Sequence, residues 1–177
     1  MVPEAPLEST ESGLVPQGEG WFVLNAREAR WHEGAFGAST RFEGDARFPQ
    51  VGINVSVLAP GQPSCLYHGE DEQEDFLLLG GECLLLVEGE ERRLRSWDFV
   101  HCPAWTEHVF VGAGKGDCLI LSVGSRTKGA GVVYPASELA QRHGAGVAQT
   151  TPDADEAYAN IPDDTPIPAR DGWLPEL

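Results

Sequence analysis

Between Trp21 and Gly124 the chain alternates short apolar stretches with glycine and proline. In GINVSVLA (52–59), Ile53, Val55 and Val57 fall on one face of an extended strand, and Pro60–Gly61 then breaks it. The stretch EDFLLLGGECLLLVEGEERRL (74–94) predicts consecutive strands, with hairpin-type turns at Gly80–Gly81 and Glu88–Gly89, where positive φ is cheap. WDFVHCP, EHVFVG and CLILSVG supply three more strands. The unbroken apolar runs Phe76–Leu79 and Leu84–Val87 predict strands covered on both faces, as in two packed sheets. Strands this short and this regularly punctuated indicate an all-β sandwich or barrel.

Helix signals are sparse. Ala136–His143 follows Pro135, carries Ser137 and Glu138 near its start and ends before Gly144. The pattern therefore divides the chain into a frayed polar arm (1–20), a β-barrel (21–125) and a C-terminal helix with an extended acidic, proline-rich tail (126–177). Trp173 and Leu174 predict that this tail docks, along the barrel or on a partner subunit.

Composition narrows the picture. A chain of 177 residues suits one filled core, and 28 acidic against 12 basic residues give a formal charge of −16. That charge argues against nucleic acid and anionic membranes as partners. The local cluster of Arg92, Arg93 and Arg95 could still offset the field for an anionic substrate. No stretch approaches the roughly 20 apolar residues that span a bilayer, and residues 1–18 do not resemble a secretory signal. Cys65, Cys83, Cys102 and Cys118 are widely spaced without a C-x-x-C pair, so reduced thiols in a cytoplasmic protein are expected.

The chemistry concentrates in YHGEDEQEDFLLLGG (67–81). His68 and Glu70 are two apart and project to the same side of an extended strand, and Glu74 opens the next apolar run. PAWTEH (103–108) places a second histidine, His108, at the start of a strand. Imidazoles with carboxylates suit a divalent transition metal, Mn(II), Fe(II), Zn(II) or Ni(II). Glu72 shares the parity of Glu70 and Glu74 but falls in the connecting loop, where a solvated role is expected. His101 alternates with Phe99 and Pro103 and is expected as a core histidine; His32 and His143 are expected at the surface. Trp97, Phe99, Trp105 and Phe110 are expected in the core, with Trp105 a candidate pocket wall.

This arrangement resembles the cupin superfamily, whose first motif runs glycine, His-x-His, glutamate and a closing glycine. His68, Glu70, Glu74 and Gly81 take the last four places, and Gly61 stands one residue early for the first. Pro103 and His108 match the second motif, while Trp97, Trp105 and Gly112 stand where the family has two glycines and an asparagine. The resemblance covers about residues 50–125 and implies a double-stranded β-helix, or jelly roll, with a metal inside the barrel. Glu70 in place of histidine exchanges a nitrogen donor for an anionic oxygen and shifts preference toward Mn(II) or Fe(II). Three arrangements stand open: four ligands (His68, Glu70, Glu74, His108), three without Glu70, or an empty site. Gly124-x-Arg126 and Tyr134–Pro135 are similar to a pattern in sugar-phosphate-isomerase-like cupins.

The expected function is a metal-binding cupin that takes a small polar metabolite into the barrel and transforms it by isomerase- or dioxygenase-type chemistry. The alternative is a non-catalytic binding or sensor module. An exposed barrel edge and the tail both invite homodimerisation.

Overall fold

The computed structural model describes residues 1–175. Residues 1–16, expected as a frayed arm, instead form a hairpin of β1 (Leu7–Thr10) and β2 (Gly13–Pro16). Its polar composition misleads because its anchoring is through backbone: the Leu14 amide donates to the Glu28 carbonyl at 2.7 Å. Gly13 has φ 124°, and a Cβ there would lie 2.6 Å from the Ala29 oxygen, so this crossing admits only glycine.

The barrel strands follow: β3 (Arg30–Gly34), β4 (Gly37–Thr40), β5 (Val51–Leu58), β6 (Gly69–Glu70), β7 (Glu74–Gly80), β8 (Glu82–Val87), β9 (Glu90–Arg95), β10 (Phe99–Cys102), β11 (His108–Ala113) and β12 (Cys118–Ser125). β13 (Val132–Val133), α1 (Glu138–Arg142), α2 (Ala154–Ala157) and β14 (Thr165–Pro168) complete the chain. One antiparallel sheet runs β10-β7-β12-β5-β4-β3-β14 and a second runs β11-β8-β9. A short β13–β6 ladder lies beside them.

The two predicted turns differ. Glu88 and Gly89, with φ of 49° and 77°, join the paired strands β8 and β9 as a hairpin. Gly80–Gly81 is no hairpin, because β7 pairs with β10 and β12 whereas β8 pairs with β9 and β11. The positive φ of Gly81 serves a crossover between sheets, pressed against the Asp117 carbonyl.

Leu58, Phe76, Leu78, Cys83, Leu85, Phe110 and Ile120 pack between the sheets. Leu86, Val109 and Val111 bury the opposite face of the small sheet with Ala140 of α1 and Ala145. Adjacent Leu85 and Leu86 are therefore both buried, which explains the unbroken apolar run. On the outside of the large sheet, Trp31, Ala38, Val55, Val57 and Leu119 are covered by Ile167, Trp173 and Leu174. The tail thus docks on its own chain: β14 pairs with β3, and the Trp173 ring sits 5.1 Å from that of Trp31. The predicted helix is shorter than expected, with Ser137 as its N-cap, and α2 adds a turn capped by Asp153 within the stretch read as extended.

Three aromatics expected in the core lie outside it. Trp97, Phe99 and Trp105 are 73%, 64% and 49% exposed, while Phe110 is buried as expected. Trp97 and Trp105 occupy turn positions with φ of 76° and 69°, and Phe99 is on the edge strand β10. His101, on the same strand, also points outward and pairs with Asp75 at 2.6 Å.

Candidate metal centre

Four strand ends meet at the barrel mouth. His68 and His108 form an antiparallel bridge, each amide donating to the other's carbonyl at 3.2 and 2.8 Å. β6 carries Glu70, two residues beyond His68, and Glu74 opens β7. Both histidines are buried, at 8% and 3% exposure, and their ring centroids lie 5.1 Å apart.

Each imidazole is held by one nitrogen. His68 Nδ1 lies 2.7 Å from the Leu66 carbonyl oxygen, and His108 Nδ1 lies 2.9 Å from that of Thr106. A carbonyl only accepts, so Nδ1 carries the proton in both rings and Nε2 faces the cavity. His108 Nε2 is 3.3 Å from Glu74 Oε2, and His68 Nε2 is 4.0 Å from it and 3.5 Å from Glu70 Oε1. One donor atom each from His68, Glu74 and His108 lies within 4.8 Å of the others. Bonds of about 2.1 Å to one ion bring neighbouring donors to about 3 Å, so a small inward movement closes the shell.

The electrostatics fit a cation. Burial is the main influence pushing Glu74 up to about 7, with the Glu70 charge adding to it. Burial, followed by the His68 charge, brings His108 down to about 4. On His68 burial opposes a proton, but Cys65, Glu70 and the Leu66 carbonyl outweigh it and hold its pKa well above the usual value. The His68 hydrogen bond in turn lowers Glu70 against the effect of its burial. A positive charge is thus favoured between the carboxylates, and a divalent transition ion that displaces the His68 proton would supply it, held by imidazole nitrogens and carboxylate oxygens.

The surroundings divide between apolar and polar walls. Phe76 lies 5.2 Å from the His108 ring and Tyr134 lies 5.9 Å from that of His68. Cys65 Sγ is 3.7 Å from His68 Nδ1. The Tyr158 hydroxyl accepts from the Leu66 amide and its ring meets Tyr134 at 5.7 Å. No spacing in the sequence announces Tyr158, which arrives from the tail. Glu72 accepts from the Thr127 amide, outside the cluster. Arg92, Arg93 and Arg95 lie on the exposed strand β9, where Arg92 pairs with Glu90. Gly112, in the family's asparagine place, is a close approach of backbones: a Cβ there would sit 2.1 Å from the Ala59 oxygen.

An all-β barrel of two antiparallel sheets with a His/Glu/His cluster at its mouth defines a class of small metal-site barrels. Residues 54–124 match the family model described as a cupin domain, and the chain carries a cupin domain with the double-stranded β-helix fold. Among solved structures, a sugar phosphate isomerase of a cupin superfamily from Silicibacter pomeroyi is 30% identical, with a TM-score of 0.48 over 60% of this chain and 66% of that one. A protein provisionally named a sugar phosphate isomerase, from Acidithiobacillus ferrooxidans, is 27% identical, with a TM-score of 0.45 over 47% of this chain and 55% of that one. The chain thus spans less than two thirds of the length of either. The polyketide cyclase RemF from Streptomyces resistomycificus shares the fold, with a TM-score of 0.54 and 11% identity over 62% of this chain and 83% of that one. A comparison with curated proteins finds no match.

Proposed function

We propose that this protein binds a divalent transition metal through His68, Glu74 and His108 and acts on a small polar metabolite in the barrel. The observation that carries this reading is the pair of Nδ1 anchors, which turn both buried Nε2 atoms toward the one carboxylate of Glu74. A bound Mn(II), Fe(II), Zn(II) or Ni(II) would supply Lewis acidity, or oxygen chemistry in the case of iron. Glu70 lies beside the three-residue cluster and retains partial solvent access. In this reading it takes and returns a substrate proton, as an isomerisation requires; direct ligation by Glu70 is the four-ligand variant of the site. The Tyr134 ring, beside His68, walls the substrate space. The 27–30% identity to two structures named as sugar phosphate isomerases accords with this chemistry, and a dioxygenase is its redox counterpart.

The reading extends to assembly and compartment. Exposed Trp97 and Phe99 at the β10 edge offer a homodimer contact. No helix among the described residues is long and apolar enough to cross a membrane. Four free thiols, three of them buried, accord with a reducing cytoplasm.

Elemental analysis of tag-free protein, combined with thermal unfolding during metal titration, tests the centre. At a free metal concentration of 100 Kd the gain is about 2.7 kcal/mol, or about 5–10 °C for a domain of this size. The gain should disappear in His108→Ala and Glu74→Gln. An unmetallated protein whose melting is insensitive to all four ions would overturn the reading. Metal and ligand binding without turnover would move it to the sensor class.

A further inference from the structure

A cavity of about 300 Å³ lies between β2, the β3–β4 pair and the loop after β4, and none of the four candidate metal ligands lines it. Arg30, Arg41, Arg47 and His32 do. Arg30 and His32 are two apart on β3, on the face opposite the buried Trp31. Arg41 directly follows β4, whose Ser39 lies across from His32. Burial first, then the Arg30 and Arg41 charges, hold the His32 pKa below its usual value, while Asp164 opposes them. The local field at this cavity is therefore positive.

The cavity gathers three of the 12 basic residues of a chain with net charge −16. Among the described residues the arginine ion pairs are those of Arg92, Arg126 and Arg170, so Arg30, Arg41 and Arg47 have none. Of the two acidic residues in the walls, Glu43 is already engaged by Arg126. Glu43 also feels the Arg47 charge, which leaves Asp164 as the one acidic wall residue outside the Arg126 pair, against three guanidinium groups. Leu14 and Phe42 provide an apolar side. Unpaired guanidinium forks around a concave, partly apolar space match a planar or tetrahedral oxyanion bidentately.

We propose that this cavity binds the oxyanion of a small phosphorylated or carboxylated molecule, with Arg30, Arg41 and Arg47 on the charge and Leu14 and Phe42 against the carbon skeleton. The site is separate from the metal centre and does not depend on the reading of that centre.

Calorimetric titration of the full chain with glycerol 3-phosphate and with glycerate, at matched ionic strength, tests it; glycerol and sodium chloride are the controls. Binding of either oxyanion should weaken at least about tenfold in Arg41→Gln/Arg47→Gln, two exposed positions, as loss of two charge-assisted contacts requires. It should be unchanged in His68→Ala/His108→Ala. Preference between the probes identifies phosphate or carboxylate as the natural group. Should the glutamine variant unfold, Arg41→Lys/Arg47→Lys keeps the charge but loses the fork, and weaker binding is again expected. Equal affinity in wild type and arginine variants, no binding beyond chloride, or loss of binding in the histidine variant would each overturn the proposal.

Discussion

Arg126 ties the barrel wall to the loop after β4, and its removal has a calculable consequence. Its Nη1 donates to Glu43 Oε1 at 2.6 Å and to the Phe48 carbonyl at 2.8 Å, and its Nη2 donates to Glu43 Oε2 at 3.1 Å. The Glu43 side chain is 5% exposed and that of Arg126 31%. Arg126→Met leaves the Glu43 carboxylate nearly buried, with the Phe48 amide at 2.8 Å as its remaining donor. Breaking a fully buried pair costs about 3–5 kcal/mol; the exposure of Arg126 lets solvent in and reduces this to about 2–3 kcal/mol. Equilibrium unfolding in urea should show that loss near neutral pH as a lowered midpoint with an unchanged slope.

The pH dependence supplies the sharper test. Burial alone would raise the Glu43 pKa, but Arg126 and the Phe48 amide bring it below its ordinary 4.5. In the wild type that stabilisation is complete above 4.5 and is lost as pH falls through the depressed folded value. In Arg126→Met the Phe48 amide and the Arg47 charge remain, but the largest opposition to burial is gone, so the folded pKa rises and less stability is lost as pH falls. The stability difference should therefore be largest near pH 7 and should shrink toward about pH 4. A loss under about 0.5 kcal/mol, or a loss independent of pH, would refute the assignment of a buried, charge-dependent clamp.

Gly112→Ala should cost about 1–3 kcal/mol, because its Cβ would meet the backbone oxygens of Ala59 and Leu58 at 2.1 and 2.9 Å and neither strand can yield cheaply; urea unfolding measures it. Trp173→Ala should cost about 2 kcal/mol by removing the Trp31 contact and the Arg170 guanidinium 5.3 Å over the ring, and a loss below about 0.5 kcal/mol by the same assay would mean that the tail is not an integral layer. Trp97→Ser/Phe99→Ser should shift a dimer toward monomer in sedimentation while leaving the melting of the monomer little changed; an unaltered dimer would place the interface elsewhere.

The barrel was legible because its signals are local. Period-two alternation in β5 and glycine at Glu88–Gly89 follow from backbone sterics over a few residues. The path between sheets is not local: Gly80–Gly81 has hairpin chemistry, yet β8 joins the other sheet because Leu85 and Leu86 bury both of its faces. Hydrophobicity likewise misplaced Trp97 and Trp105, whose positive φ sets them in turns that point outward. The arginines of β9 are clustered in the sequence itself, whereas Arg30, Arg41 and Arg47 converge only once β3 and β4 are paired.

For the candidate site, parity indicated that His68, Glu70 and Glu74 share a side, but parity cannot say which atom of a ring faces inward. That follows from one device used twice. Each histidine bonds through Nδ1 to the carbonyl two residues before it, Leu66 for His68 and Thr106 for His108. The two segments are also bridged to each other at the histidines themselves. An extended backbone places the carbonyl of residue i−2 where only Nδ1 of residue i can reach it, so the fold fixes the tautomer without help from a distant side chain. A histidine evolved merely to fill a core would satisfy both nitrogens; these two each satisfy one with backbone and turn the other toward carboxylates. Glu70 then differs from Glu74 by reach alone: it meets His68, whereas Glu74 lies within 4.0 Å of both rings and is the carboxylate that completes the three-donor group.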